Sequence, residues 1–175
     1  DAEEKTALDN AVKIAPDNVA ILMQQSDYYE RQGDAAEAGK VYQHLAQLLP
    51  NDPAVSNNLA YNILQTGGDP KKALELAQAA ESKIGANPRV LHTLGLAQLR
   101  TCNLTEGRKN LVIALEQQPA DPTILLDFGQ MLAAQGQPKD GKRYAELALL
   151  YADQLGLKFD RRAEAVAITG DSTSH

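Results

Sequence analysis

The sequence is poor in the residues that build most disulfide-stabilised, metal-binding and membrane-spanning proteins. Its 175 residues include one Cys, three His and no Trp, and aromatic residues make up 5% of the chain. A single cysteine excludes an internal disulfide. No apolar run approaches the roughly 18 residues that a membrane-spanning helix needs. The hydrophobic 43% is mostly Ala and Leu, a composition that favours closely packed helices over a strand-rich sandwich.

Residue patterns for catalysis or metal binding are also absent from the sequence. There is no GxSxG, HExxH, Gly-rich phosphate loop or CxxC motif. His44 sits among apolar helix residues, His92 lacks a His, Cys or Asp partner at metal-ligand spacing, and His175 is the last residue. Asp27 and Glu30 share a helix face without a defined cleft, which is typical of solvated charge. We therefore expect no enzymatic activity, no metal and no cofactor.

Charge is unevenly distributed along the chain. Lys and Arg number 17 against 23 Asp and Glu, which gives a net charge of −6. Between Pro70 and Leu115, however, seven Lys and Arg residues stand against three Glu residues, a local net charge of +4. The acidic balance of the whole chain argues against duplex nucleic acid or an anionic membrane as a partner. The basic middle favours an acidic peptide; an ordinary solvated helix face is the alternative.

What the sequence does contain is one pattern repeated four times. The copies begin at Val19, Pro53, Pro88 and Pro122, at intervals of 34, 35 and 34 residues. Each begins with an apolar helix, turns near a Gly and continues with a second helix that carries small residues on one face. The third copy has Cys102 in place of the turn glycine. Repetition at this period predicts a stacked solenoid of helical hairpins.

Two further segments flank the four copies, which span residues 19–52, 53–87, 88–121 and 122–153. Residues 1–16 have the pattern of the second helix of a truncated repeat, with an open apolar stripe at Leu8, Ala11 and Val12. Residues 157–168 predict a capping helix with Phe159 and Ala163 on its apolar face. We expect residues 1–168 to form one array, residues 169–175 to be disordered, and the chain to be a segment of a longer protein.

Particular residues give the pattern a family resemblance. The run from Asn57 to Tyr61 is followed by Gly-Gly-Asp-Pro at residues 67–70 and by Ala-Leu-Glu-Leu-Ala at residues 73–77. These runs, and Val90 to Gly95, resemble the tetratricopeptide repeat (TPR) family and especially its bacterial members. The resemblance implies an all-α fold, a right-handed α-solenoid with a C-terminal capping helix. It also favours the bacterial periplasm or cell envelope over the cytoplasm.

The resemblance further implies a concave groove, lined by the first helix of each copy, that holds a peptide. Carried over by position, the partner-binding residues are Asn57, Asn58, Tyr61, Gln65, Arg89, His92, Leu96 and Arg100. Their neighbours in the first and fourth copies are Met23, Asp27, Glu30, Arg31, Leu126, Asp127 and Gln130. Amide side chains can pair with the main chain of an extended peptide without selecting its sequence. The family's Lys/Asn clamp for a C-terminal carboxylate is not reproduced, because Met23 and Asn57 stand where it needs basic residues.

Two functions follow from these patterns. The first is a non-catalytic scaffold that binds a protein or peptide, acidic in character, in the groove of the second and third copies. The alternative is a self-associating structural element of a bacterial envelope or secretion complex, which would form a homo-oligomer through the N-terminal helix. Neither involves nucleic acid or insertion of this segment into a membrane.

Overall fold

The computed structural model describes residues 2–170 and contains ten helices within them. These are α1 (Ala2–Ile14), α2 (Val19–Gln32), α3 (Ala35–Leu48), α4 (Pro53–Gln65), α5 (Pro70–Ile84), α6 (Pro88–Arg100), α7 (Leu104–Gln117), α8 (Pro122–Ala134), α9 (Pro138–Gln154) and α10 (Arg162–Thr169). No strand occurs in this range. The helices divide into two compact units, one ending at Gly85 and one starting at Ala86. Unit 1 holds the first two copies of the repeat, and unit 2 holds the last two.

The joints between the copies define where the first helices begin. Asn18, Asp52, Asn87 and Asp121 each occupy the N-cap position, and each side chain accepts a hydrogen bond from a backbone N–H of the first turn. In the last three copies a proline follows the cap, where its missing N–H costs nothing. Asp69 caps α5 in the same way. The helices therefore start at the residues from which the repeat was counted.

The turn inside each hairpin needs a left-handed backbone conformation. Gly33, Gly67 and Gly136 supply it in the first, second and fourth copies, with φ angles of 71°, 70° and 81°. Cys102 takes the same conformation in the third copy with a φ of 65°, and its thiol is exposed. A side chain at this φ is strained because Cβ crowds the backbone. Cys102 thus fills a glycine position at a conformational cost.

In unit 1 a single hydrophobic cluster joins α2, α3 and α4. Leu22, Tyr42, Leu45 and Val55 are almost fully buried in it, and Tyr28 packs edge-on against Tyr29 with ring centroids 5.5 Å apart. The first helix, α1, has no buried residue. Leu8 and Val12 of its apolar stripe pack against the edge of this cluster, so that part of the stripe is covered. At the end of α1, Ile14 is 85% exposed.

In unit 2 the two helices of each hairpin approach through paired glycines. A Cβ atom on Gly129 would lie 2.7 Å from the carbonyl oxygen of Gly141, and one on Gly95 would lie 2.9 Å from that of Gly107. Neither distance leaves room for a methyl group. Phe128 and Tyr144 close the same α8–α9 hairpin with an edge-on contact. Gly107 and Gly141 lie within the regular helices α7 and α9 and permit this close packing.

The C-terminal segment differs from its sequence prediction. The helix begins at Arg162, and residues 157–161 reach it as irregular backbone. Phe159 packs on the α8–α9 core as expected, but Ala163 is exposed and Ala165 is the fully buried alanine. Arg161, at the N-cap position, makes no capping bond, because a guanidinium group has no acceptor for a backbone N–H. The predicted disordered tail is wrong at its first two residues, because Thr169 is buried at the end of α10 and Gly170 is the C-cap of that helix. Residues 171–175 of the predicted tail lie outside the described residues.

Candidate functional site: polar faces of the first helices

The predicted groove residues of unit 1 lie on α2 and α4, at equivalent places one repeat apart. On α2, Asp27 is exposed and Met23 is partly buried against the unit's hydrophobic cluster. Glu30 accepts a hydrogen bond of 2.6 Å from the Tyr42 hydroxyl, which ties it to the second helix of its own hairpin. Arg31 forms an ion pair with Glu4 of α1. On this face of α2, Asp27 and the exposed part of Met23 therefore remain accessible to a partner.

The α4 face holds the predicted amide ladder. Side chains four residues apart on a helix share a face, so Asn57, Tyr61 and Gln65 lie in a row. Their exposure rises along the helix: Asn57 is buried, Tyr61 is half-buried and Gln65 is exposed, with Asn58 half-buried beside them. Asn57 is 6% exposed, and within the described residues its Oδ1 atom has no hydrogen-bond partner. Buried amide oxygens are nearly always paired, so this one is an exception that needs a reason.

Another buried asparagine of the same helix shows what a paired amide looks like. Asn62 points to the opposite side of α4, and its Nδ2 atom donates a 2.7 Å hydrogen bond to the carbonyl oxygen of Ala35 in α3. A Cβ atom added to Gly39 would collide with the Asn62 amide at 2.4 Å. Asn62 therefore joins the two copies of unit 1 and is structural. Asn57 has no such role.

In unit 2 the predicted residues of α6 separate into two kinds. Arg89 and Arg100 are exposed, and neither forms an ion pair with a described carboxylate. Eleven residues of α-helix separate them by about 16 Å along the axis, on one side of the helix. Leu96 lies between them and packs partly buried against the core. His92, by contrast, is only 5% exposed.

His92 belongs to a buried charge network that sequence reasoning did not find. Its Nε2 atom lies 2.8 Å from Oδ2 of Asp127 on α8. The other carboxylate oxygen of Asp127 accepts a 2.7 Å hydrogen bond from Nη1 of Arg161. The same guanidinium donates to Glu164, with Nη2 2.7 Å from Oε2. Asp127 follows His92 by 35 residues, outside the metal-ligand spacings at which the sequence shows no partner for His92.

The network holds Asp127 ionised in an environment that disfavours charge. Burial alone would raise the pKa of Asp127. The hydrogen bond from His92 and the positive charge of Arg161 outweigh burial and bring the pKa below its ordinary value. Arg161 likewise lowers the pKa of Glu164, chiefly by hydrogen bonding to it. Gln130 donates a 3.1 Å hydrogen bond from Nε2 to Glu164, so three of the groove positions, His92, Asp127 and Gln130, are engaged within the chain.

Other chemistry is sparse in the part of the chain that the structure describes. Residues 2–170 contain no group of three or more His, Cys, Asp or Glu side chains arranged to hold a metal ion. His44 pairs with Asp17 at 2.9 Å and is partly exposed. Among the same residues, no helix is long and apolar enough to cross a lipid bilayer.

Comparisons with known proteins locate the fold. No protein-family model matches the sequence, and no curated protein does. Among solved structures, TTC0263, a thermophilic TPR protein of Thermus thermophilus, is 18% identical, with a TM-score of 0.65 over 93% of this chain and 88% of its own. PilW, a widely conserved type IV pilus biogenesis factor, is 13% identical, with a TM-score of 0.65 over 96% of this chain and 78% of its own.

A third structure extends the likeness. YrrB, a TPR protein with an unusual peptide-binding site, is 16% identical, with a TM-score of 0.58 over 90% of this chain and 82% of its own. The ten helices, their pairing into hairpins and these likenesses agree with the resemblance that the sequence carries. The chain has the all-α helical-repeat fold of tetratricopeptide repeat proteins.

Proposed function

We propose that the chain is a non-catalytic protein-interaction scaffold and that the α4 face of unit 1 binds an extended segment of a partner protein. The observation that carries the proposal is the unpaired Oδ1 atom of buried Asn57. A buried acceptor without a partner costs roughly 1–3 kcal/mol. A backbone N–H of a bound peptide would satisfy it, and Tyr61 and Gln65 continue the polar row along which such a peptide would lie.

The same proposal gives the α6 face of unit 2 a preference for acidic segments. Arg89 and Arg100 offer guanidinium groups that the described carboxylates leave unpaired, and guanidinium–carboxylate pairs are stronger than neutral hydrogen bonds. Their separation of about 16 Å matches roughly five residues of extended chain. A partner segment with acidic groups at that spacing fits this face. YrrB provides a precedent for peptide binding on this fold.

Comparing two asparagines of α4 tests the unit 1 proposal. Asn57→Ala removes an unpaired amide and should leave thermal stability unchanged or slightly higher. It should also weaken the binding of extended peptides from a library by about two- to tenfold. Asn62→Ala is the matched control: it breaks a buried bond to Ala35, so it should lower stability and affect binding only through that loss. An Asn57→Ala variant with lower stability and unchanged affinity would contradict the proposal.

The acidic preference is tested by reversing charge. Replacing both Arg89 and Arg100 by Glu should weaken the binding of acidic peptides at least tenfold, about 1.4 kcal/mol, and flatten its dependence on salt. Arg108→Glu with Arg143→Glu makes the same change in net charge on exposed sites of α7 and α9 and should have a much smaller effect. Equal losses in the two double variants would reduce the preference to non-specific attraction.

Self-association through α1 is the second candidate, favoured by the 85% exposure of Ile14. Ala2, Glu3, Thr6, Ala7 and Asn10 line a shallow depression on the same helix. If a second copy covers this side, sedimentation should show a concentration-dependent dimer that Ile14→Asp abolishes. A monomer at every concentration would leave the scaffold proposal alone.

A further inference from the structure

Arg161 has the surroundings of a bound ligand and not of a surface side chain. It is the last residue of the irregular segment before α10, and only 9% of its side chain is exposed. One end of the guanidinium contacts Asp127, whose own side chain is 4% exposed, through the 2.7 Å bond from Nη1. The other end contacts Glu164 through Nε at 3.1 Å and Nη2 at 2.7 Å. Gln130 completes the ring with its Oε1 atom 3.4 Å from Nη2 and its Nε2 atom 3.1 Å from Glu164.

This geometry selects a guanidinium group over an ammonium group. The acceptors lie on different sides of one planar group, so that donors on three nitrogen atoms are used at once. A lysine presents a single compact nitrogen and cannot reach Asp127 and Glu164 with the same fork. His92 fixes the orientation of the Asp127 carboxylate by its 2.8 Å bond to the second oxygen. The deepest part of the arrangement, Asp127 and His92, belongs to the first helices α8 and α6.

We propose that His92, Asp127, Gln130 and Glu164 form a guanidinium-selective binding site in unit 2, which the chain fills with its own Arg161. Three of these residues lie on the first helices, at positions where the family resemblance places partner-binding residues, but the ligand class of the site is basic. It goes beyond the function proposed above and does not depend on it, because the residues of α4 and the arginines of α6 take no part. The side chain of Arg161 is the occupant that the site has in this chain.

Filling the site from within the chain has two consequences. An empty site would leave Asp127 buried with His92 as its partner on Oδ2 and without its guanidinium partner on Oδ1, which is unfavourable. Another guanidinium can therefore enter only as Arg161 leaves. A group tethered by a short segment acts at an effective concentration of about millimolar or more, and Phe159, packed on the α8–α9 core, anchors this tether. Free arginine side chains at lower concentrations are thus excluded while Arg161 is in place.

Chemical rescue of an emptied site tests the proposal. Arg161→Ala in the full chain should lower the melting temperature of unit 2, and N-acetyl-arginine amide should restore part of the loss. At ten times its Kd the arginine derivative should raise the melting temperature by about 3–6 °C. N-acetyl-lysine amide at equal ionic strength should raise it much less. The wild-type chain should respond to neither compound, because its site is occupied.

Two controls make the result decisive. Arg162→Ala removes an exposed arginine that pairs with Asp153, and this variant should not respond to the arginine derivative. Arg161→Ala with Asp127→Asn removes both charges, so it should fold and bind nothing. If the Arg161→Ala variant is unfolded, no melting shift can be measured. In that case the arginine derivative should restore the helical circular dichroism signal of the variant. Equal rescue by the lysine derivative, no rescue, or rescue of the double variant would overturn the proposal.

Discussion

The two units are built from the same repeat but use the faces of their first helices differently. In unit 1 the second copy leaves a polar row on α4, with a buried acceptor at Asn57 that nothing in the described residues satisfies. In unit 2 the corresponding polar positions bond to one another and to Arg161. The hairpins differ too: unit 2 packs glycine on glycine, whereas the corresponding positions of unit 1 hold the buried residues Ser26, Ala38, Ala60 and Ala73. The same helical repeat can thus present polar side chains to a partner in one copy and pair them within the chain in another.

The largest difference should appear when the buried network of unit 2 is broken. Asp127→Ala leaves Arg161 and His92 without their shared partner, which should destabilise unit 2 by about 3–5 kcal/mol. Hydrogen exchange should rise first in α8, α9 and α10, while α2 and α3 keep their protection because repeats are stabilised mainly by their neighbours. Uniform loss of protection in both units would contradict a network that acts locally.

Lowering the pH should then destabilise unit 2 more than unit 1. Because the folded pKa of Asp127 and that of Glu164 are lowered, each carboxylate stabilises the fold above its unfolded pKa of about 4. That contribution is lost as pH falls through the folded pKa. The stability difference between the wild type and Asp127→Asn should therefore narrow below about pH 4. Denaturant unfolding at several pH values measures it; a constant difference would show that Asp127 is not ionised in the folded state.

The glycine pairs predict an effect of intermediate size. Gly129→Ala places a methyl group 2.7 Å from the Gly141 carbonyl oxygen, which should cost about 1–3 kcal/mol as the hairpin separates. Alanine is otherwise the better helix former by about 1 kcal/mol, so a stabilising result would mean that the helices can move apart freely. In unit 1, Ala60→Gly should cost about 1–2 kcal/mol, the sum of the helix-propensity difference and the loss of a buried methyl group. Thermal melting of the two variants measures both effects.

The smallest effect should come from the turn of the third copy. Cys102→Gly replaces a strained residue at a φ of 65° and should stabilise unit 2 by about 0.5–1 kcal/mol, since the relieved strain exceeds the added freedom of the unfolded chain. Gly136→Ala, at a φ of 81° in the fourth copy, should do the reverse. Urea midpoints of the two variants should therefore move in opposite directions.

Much of the fold could be predicted because its determinants are local. Proline after an Asn or Asp cap defines the helix starts at Pro53, Pro88 and Pro122, and these signals fall within a few residues of one another. The start of α10 was not predicted because apolar spacing favoured a helix from Leu157. In the structure the chain uses residues 157–161 to seat Phe159 on the core and to bring Arg161 to Asp127.

The closed site of unit 2 could not be found by searching for short motifs. Asp127 follows His92 by 35 residues, and Arg161 follows Asp127 by 34. These intervals are within one residue of the repeat period, so polar residues compared at about that period would include all three. Burial decided their role: the sequence shows three polar side chains, and nothing local distinguishes a solvated side chain from a buried one. Nor does the sequence distinguish Asn57 from Asn62. Both are buried on α4, but among the described residues only the Asn62 amide has a hydrogen-bond partner, the carbonyl oxygen of Ala35.

A double-mutant cycle on Asp127 and Arg161 tests most directly whether unit 2 is closed by its own C-terminal arginine. The stabilities of the wild type, Asp127→Ala, Arg161→Ala and the double variant give the coupling energy between the two side chains. A buried, hydrogen-bonded pair should give a coupling of about 2 kcal/mol or more, with the double variant more stable than the sum of the two losses implies. A coupling below about 0.5 kcal/mol, the value of an exposed ion pair, would contradict the account.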